Sequence, residues 1–520
     1  MRTFGDHQVN ATFAYTRDYR ESDGFRIYAY DFENPVMEFN DLAQGARNNT
    51  SNYEKWMQSN VGYLGRIHYT FKNRYMVTGT VRRDGASTFP PESKWAILPS
   101  ISLGWVLSDE AFMSGTSSWL YSKIRLSYGV NGNPGQARYA SFSRMDVGSN
   151  YKWATSEGIV VAASPSVTGM GNDKLKWEKT ASLNLGIDFN LFKRIDGVIE
   201  MYHANTSDVT VQRRLPYMSG FTQIRTNLGE LQNRGIEISV NTQNLTKTAI
   251  KWRSSASFSL IRNKILDIYS DGTPRDVDNG WFIGESIGAV YDYERKGIWQ
   301  EEDLWEGRIG RAADNPTVLN NWYPGMWQLV DQNGDKAIDA DEDRKIIGNR
   351  EANFIWTLGN TFNYKQWGLY ILFNSSVGGG KRNWLLQDCY NQLNVQSRED
   401  DVRRMNQQGN RPYWTYLNRV NNSSAVYHVQ PIYGGIYESR AFVRLQDVNL
   451  SYSFNRNQLS KMGGFIEQLQ LYVSGRNLYT WTKWPGWDPQ VQFRNYNNNS
   501  SDNVNSFNMR NVIVGLRLTF

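Results

Sequence analysis

The side chains best placed to do chemistry lie in one run, Asp331-Gln332-Asn333-Gly334-Asp335-Lys336-Ala337-Ile338-Asp339-Ala340-Asp341-Glu342-Asp343. Counted from Asp331, oxygen ligands fall at positions 1, 3, 5, 9 and 12, which are Asp331, Asn333, Asp335, Asp339 and Glu342. Ala337 at position 7 would add its carbonyl, and the apolar Ile338 follows at position 8. That is the spacing of a Ca²⁺ loop: a hard cation needs about six or seven oxygens around one point, and the chain must wrap to supply them. Lys336 stands where the sharp turn favours Gly, and no helix pattern flanks the run. A solvated acidic turn is the plainer reading, and both stay open. A bound Ca²⁺ would be structural, because ligands spent on the ion leave none to catalyse.

Catalytic arrangements are weaker. Gly378-Gly379-Gly380-Lys381 has the look of a phosphate loop, but Ser375 stands where the first Gly belongs and Arg382 where Ser or Thr belongs. Gly169-Met170-Gly171 has no third Gly in register and reads as a loop. The acidic pairs, such as Glu301-Glu302, read as hydrated loop charges, and no nucleophile stands beside a base. His7, His68, His203 and His428 are far apart, and the single Cys389 excludes disulfides and CxxC zinc sites within one chain. The reading is a protein that is not an enzyme, with no catalytic or cofactor-binding residue. A net charge of +6 without a basic tract also speaks against nucleic acid as a partner.

Large aromatics crowd the segments around that run. Trp281, Trp299, Trp322, Trp384 and Trp414 are candidates for substrate binding, since indole faces stack on sugar rings and grip peptide side chains. The plainer reading is that such rings pack loops together or form interfacial girdles.

The elements that must position these residues are strands. Val512, Val514, Leu516, Leu518 and Phe520 alternate with Ile513, Gly515, Arg517 and Thr519. Leu183, Leu185, Ile187, Phe189 and Leu191 alternate in the same way, as do Ile101, Leu103, Trp105 and Leu107. Period two sends each set to its own face of a strand. The runs last about 9 to 13 residues, beyond ordinary globular strands and near what a tilted strand needs to cross a bilayer. Tyr, Phe and Trp number 30, 23 and 19, yet mean hydropathy is −0.60. Interleaved lipid-facing and wet residues produce that combination. No stretch approaches a transmembrane helix, for which about 18 consecutive apolar residues are needed.

Connection lengths sort by parity. Short gaps at 72–73, 108–119, 191–194, 243–247, 364–366 and 455–465 alternate with longer ones at 18–59, 84–96, 131–177, 208–231, 267–352, 378–439 and 482–507. Outer-membrane barrels have short periplasmic turns and long extracellular loops. The expectation is an all-β chain, a transmembrane antiparallel β-barrel of about 14 strands, with residues 267–352 and 378–439 as long extracellular loops. A terminal Phe520 closing an alternating strand resembles the assembly signal of bacterial outer-membrane proteins.

Specific strings sharpen this. Arg82-Arg83-Asp84-Gly85-Ala86-Ser87-Thr88-Phe89 followed by Leu98-Pro99-Ser100-Ile101-Ser102-Leu103-Gly104-Trp105 resembles the SusC/RagA branch of TonB-dependent transporters of Bacteroidetes. Trp177-Glu178-Lys179-Thr180, Asn227-Leu228-Gly229-Glu230-Leu231-Gln232-Asn233-Arg234-Gly235, Gly475-Arg476-Asn477-Leu478 and Gly486-Trp487-Asp488-Pro489 resemble it too, in family order along nearly the whole chain. Where that family usually has Ser and Gly, this chain has Ala86 and Lys336. The resemblance implies a barrel in the outer membrane, here its C-terminal portion, in a family of 22-stranded barrels carrying an N-terminal plug. It further implies a SusD-like surface lipoprotein as lid, the TonB complex as energy source, and oligosaccharides or peptides as cargo. The expectation is a truncated or split product: plug, TonB-contacting segment and signal peptide are not in these residues, about eight strands are missing, and Met1 reads as an internal methionine. The alternative is a passive porin closing by itself with about 14 to 16 strands.

Overall fold

The computed structural model describes residues 2–32, 45–135, 138–155, 158–298, 327–334, 338, 341–382, 437–460, 466–484, 488–490 and 508–520. Among the described residues one antiparallel sheet of fifteen strands dominates. Its strands run β1 (Arg2–Phe4), β2 (His7–Phe32), β3 (Gly45–Phe71), β4 (Tyr75–Ala86), β5 (Trp95–Val106), β6 (Leu120–Asn133), β7 (Glu178–Leu191) and β8 (Ile195–Arg214). They continue with β9 (Gln223–Leu245), β10 (Ile250–Asp267), β11 (Phe354–Tyr364), β12 (Trp367–Val377), β13 (Phe442–Ser453), β14 (Gln468–Thr482) and β15 (Asn511–Thr519). Spatial order follows chain order throughout. The count exceeds the expected fourteen by β1, a three-residue stub paired only to the start of β2. Its alternation is too short to be seen in sequence. Among the described residues no helix is long and apolar enough to cross a membrane; the crossing elements are strands.

An antiparallel meander places successive connections at opposite ends. Turns at 72–74, 192–194, 246–249 and 365–366 share one rim, with Lys72, Asn73, Phe192, Lys193 and Lys365 at positive φ to make them tight. The opposite rim carries 134–177, 268–353 and 378–441.

One long connection is not a loop. The gap read at 18–59 is mostly strand, because β2 and β3 stay paired from His7–Phe71 to Phe32–Gly45. Arg17, Asp18, Arg20, Glu21 and Asp23 interrupt the apolar alternation, but the hydrogen-bond ladder continues. A strand that has left the lipid has no need of an apolar face. A separate hairpin, Arg144–Thr155 with Gly158–Gly169, likewise stands inside the 131–177 gap.

The register of β2 to β5 stacks the outer face into rows. The lowest is His7, Phe71, Tyr75 and Trp105, its rings touching at 4.9 Å (His7–Phe71) and 6.3 Å (Phe71–Tyr75). Glu110, beyond the end of β5, accepts from Tyr75 Oη (2.5 Å), Trp105 Nε1 (2.9 Å) and Arg74 Nη1 (3.1 Å). Those donors, the tyrosine first, hold its carboxyl below the usual range. Above come apolar rows that include Val77, Leu103, Ile67, Ile101, Phe13 and Val81, all exposed. Then come Tyr15, Tyr63, Arg83 and Ile97, and finally Arg17, Val61, Gly85 and Trp95. From His7 to Arg17 a strand rises about 34 Å, which a tilt of about 40° turns into about 25 Å of height, the thickness of a barrel's apolar band. The opposite face of these strands carries His68, Thr70, Thr78, Arg82 and Asp84, as a wet interior requires.

Candidate functional site

The connection between β10 and β11 leaves the rim as a folded arm. Tyr269 Oη donates to Asp276, and Arg275–Asp276 pairs with Trp281–Phe282. Burial, then the hydrogen bond to Asp276, pushes the Tyr269 phenol up to about 12. Burial works against Asp276 ionising, yet its bonds from Tyr269 and Asn279 outweigh that and hold its carboxyl low. Ala289–Tyr293 then pairs with Arg344–Asn349, and Arg295–Ile298 with Trp327–Leu329. The acidic run is the excursion between those returning strands.

Tyr293, Leu329 and Ile338 form a small buried cluster at its base, so the apolar position 8 is the anchor of the run. Asp331 Oδ1 accepts from Gly334 N at 2.6 Å, with Gly334 at φ +80° turning the chain. Asn333 Nδ2 donates to Glu342, and Gln332 N donates to Asp343 Oδ1 at 2.7 Å. The two ends of the run therefore meet. Lys345 Nζ lies 2.5 Å from Glu294, which with Gln332 as second donor holds that carboxyl low.

Of the six expected ligands, Asp331 accepts from the Gly334 amide, and Asn333 and Glu342 bond each other. Asp335, Ala337 and Asp339 lie outside the described residues. Among the described residues no group of three or more His, Cys, Asp or Glu is gathered as a metal site. Sequence reasoning passed over Asp343, which is fully buried while Glu342 is exposed. Trp281 is half-buried in the first ribbon of the arm; Trp299, Trp322, Trp384 and Trp414 lie outside the described residues.

Two polar clusters were not anticipated. On the inner wall Arg125 (β6) bonds Asp188 (β7) at 2.8 Å and Glu200 (β8) at 2.5 Å. Gly186 gives them room, since a Cβ there would lie 2.7 Å from Arg125 Nη2. At the upper rim Arg444 (β13), 1% exposed, donates to Asp488 Oδ1 (2.8 Å), Gln490 Oε1 (2.6 Å) and Thr480 Oγ1 (2.9 Å). Asp488 stands in the Gly486–Pro489 string, the one signal that pointed toward it. These clusters brace strands and tie a loop segment down; none sets a nucleophile beside a base.

Residues 2–478 match the model of the TonB dependent receptor-like β-barrel family. The chain belongs to that family. Its place is the outer membrane, and the family is one of receptors and transporters, not enzymes. The TonB-dependent receptor P3 of Formosa agariphila is 30% identical over all of this barrel chain and 51% of its own length. The TonB-dependent receptor SusC of Bacteroides thetaiotaomicron is 27% identical over 83% of this chain and 41% of its own. Among solved structures, the RagAB peptide importer in the 'open-open' state superposes over the whole chain with a TM-score of 0.72 at 20% identity, covering 53% of the matched chain. This barrel chain therefore spans about half the length of the relatives it matches, and the similarity to the importer is one of fold.

Proposed function

We propose that the chain is the C-terminal barrel portion of an importer that takes oligosaccharides or peptides across the outer membrane, energised through the TonB complex and lidded by a SusD-like surface lipoprotein. The observation that carries this is the concentration of large connections, 134–177, 268–353 and 378–441, on one rim. Such a rim supplies a capture surface at one end of the pore, while the other rim keeps to short turns. An oligosaccharide cargo follows from the SusC/RagA resemblance of the sequence strings, and the fold shared with a protein described as a peptide importer supports a peptide one. On this reading Trp281, Trp299, Trp322, Trp384 and Trp414 stack on the cargo, and outer-membrane lipid surrounds the wall.

The Asp331 run is read as a structural Ca²⁺ loop. Its ends meet through Gln332, Asn333, Glu342 and Asp343, and Ile338 is anchored in the arm's cluster. Asp331, Asn333, Asp335, the Ala337 carbonyl, Asp339 and Glu342 or Asp343 would hold the ion, with Asp343 favoured by its burial.

A passive pore that closes by itself needs its first and last long strands bonded to each other. Among the described residues the sheet runs in one row from β1 to β15 without that pairing. The deciding experiment is growth of a deletion strain, with and without the complementing gene, on defined glycans and peptides. Cargo uptake that depends on the gene and stops when the proton-motive force is dissipated is the expected result. Gene-dependent uptake that survives its loss would replace active import by a passive pore.

A further inference from the structure

Arg82 and Arg83 are neighbours in β4 with opposite surroundings. Arg82 faces inward, its Nε 2.7 Å from both oxygens of Asp84. Arg83 faces outward at the upper limit of the apolar band, exposed, in the row of Tyr15, Tyr63 and Ile97. No carboxylate among the described residues lies within ion-pair distance of it. An arginine facing lipid costs about 2–4 kcal/mol at mid-depth and far less at the interface, so its depth alone makes it tolerable. Its surroundings go further and hold it in place.

The Arg83 guanidinium sits over the indole of Trp95, 4.7 Å from the ring centroid. Trp95 in turn lies on Gly85, where a Cβ would fall 2.8 Å from its ring carbons, and stacks beside Tyr63 at 6.2 Å. A guanidinium held over a ring keeps its N–H groups in its own plane, available to an acceptor. Arg17, also exposed, adds a second positive charge in the row just above. On the same face of β2 the first carboxylate is Glu21, and Lys55 already neutralises it at 3.3 Å. The result is a cationic, aromatic-floored spot at headgroup level, on the side of the long connections and hence in the outer leaflet.

We infer that Arg83, supported by Trp95 and with Arg17 two strands away in the row above, binds the phosphate of a phosphorylated lipid of the outer leaflet. Guanidinium and phosphate match geometrically as paired donors and acceptors, and polar headgroups are what the membrane offers at that height. The inference rests on the outer-membrane location and is independent of what the importer carries.

The test is native mass spectrometry of the intact protein extracted from its membrane, titrated with lipid A and with the same lipid stripped of phosphate. Phosphorylated lipid should bind about tenfold tighter than the stripped form, and Arg83→Gln should remove about that factor. Arg82→Gln should leave it unchanged, and Gly85→Ala, which displaces the indole but keeps both arginines, should weaken it. Equal binding of the two lipids, or full binding by a heat-modifiable Arg83→Gln protein, would overturn the inference. So would displacement by millimolar inorganic phosphate. If Arg83→Gln does not assemble, the comparison of the two lipids on the unaltered protein decides.

Discussion

Arg444 and Asp488 are 44 residues apart in sequence and 2.8 Å apart in space, with exposures of 1% and 9% at their side chains. The pair fastens the segment after β14 to the inside of β13. Removing one partner leaves a buried charge without compensation, which costs about 3–5 kcal/mol. Asp488→Ala should therefore lower the temperature of heat-modified migration on gels, or prevent assembly. Arg444→Met with Asp488→Leu should recover much of the loss. A single Asp488→Ala protein that melts like the unaltered one would show that the pair is not structural.

Gly171 sits against another stretch of backbone. A Cβ there would lie 2.5 Å from Phe142 C and 2.5 Å from Ser143 N, groups that cannot swing aside. Gly171→Ala should cost about 1–3 kcal/mol through overpacking. The neighbouring Tyr139 Oη bonds Met57 on the extended β2–β3 hairpin at 3.0 Å, so faster limited proteolysis of residues 138–172 is the expected reading. Gly115, which meets nothing within 4 Å, should accept Ala without change.

The Tyr269–Asp276 bond makes the base of the arm sensitive to alkali. The phenol is raised to about 12 from 10.0. A raised folded value contributes stability that is fully present below the unfolded value and lost as pH climbs through the folded one. The window is thus about pH 10 to 12. Asp276, held low, works oppositely: its contribution is present above the ordinary aspartate range and is lost as pH falls through its depressed value. Carbon-13 NMR of labelled tyrosines should show one ring titrating near 12, absent in Tyr269→Phe. A Tyr269 that titrates at the ordinary value would refute the bond.

If the Asp331 run holds Ca²⁺, a chelator should open it. Cleavage within 331–343 should rise with EGTA and fall again on adding Ca²⁺, and Asp335→Ala should remove both responses. Asp343→Asn should weaken Ca²⁺ binding measured by calorimetry on the full chain more than Glu342→Gln does. The opposite order would return position 12 to Glu342. No Ca²⁺ heat at all would leave the run a solvated turn.

Most of the strand framework was legible because lipid on one side and water on the other impose period two. Val512 to Phe520, Leu183 to Leu191 and Ile101 to Leu107 carry it plainly. The same logic hid what happens above the membrane. Beyond Asp18 in β2 and before Ser59 in β3 charged residues break the alternation, and the continuing ladder of β2 and β3 leaves no hydropathy trace. The acidic run was visible as a spacing of oxygens, and the burial of Asp343 beside an exposed Glu342 was not, since burial depends on how the arm folds around Tyr293, Leu329 and Ile338.

The linear sequence determined the class of element, the faces of the strands, the sorting of short and long connections, and the family strings. Those are local patterns, written in residue type and spacing alone. Only the tertiary structure decided which side chains meet: Arg444 with Asp488, Arg125 with Asp188 and Glu200, and the Arg83 guanidinium with the Trp95 ring. Each pairing crosses a strand boundary, and a one-residue change of register would send the strand-borne members of a shifted strand to the opposite face. Register is a property of the assembled sheet.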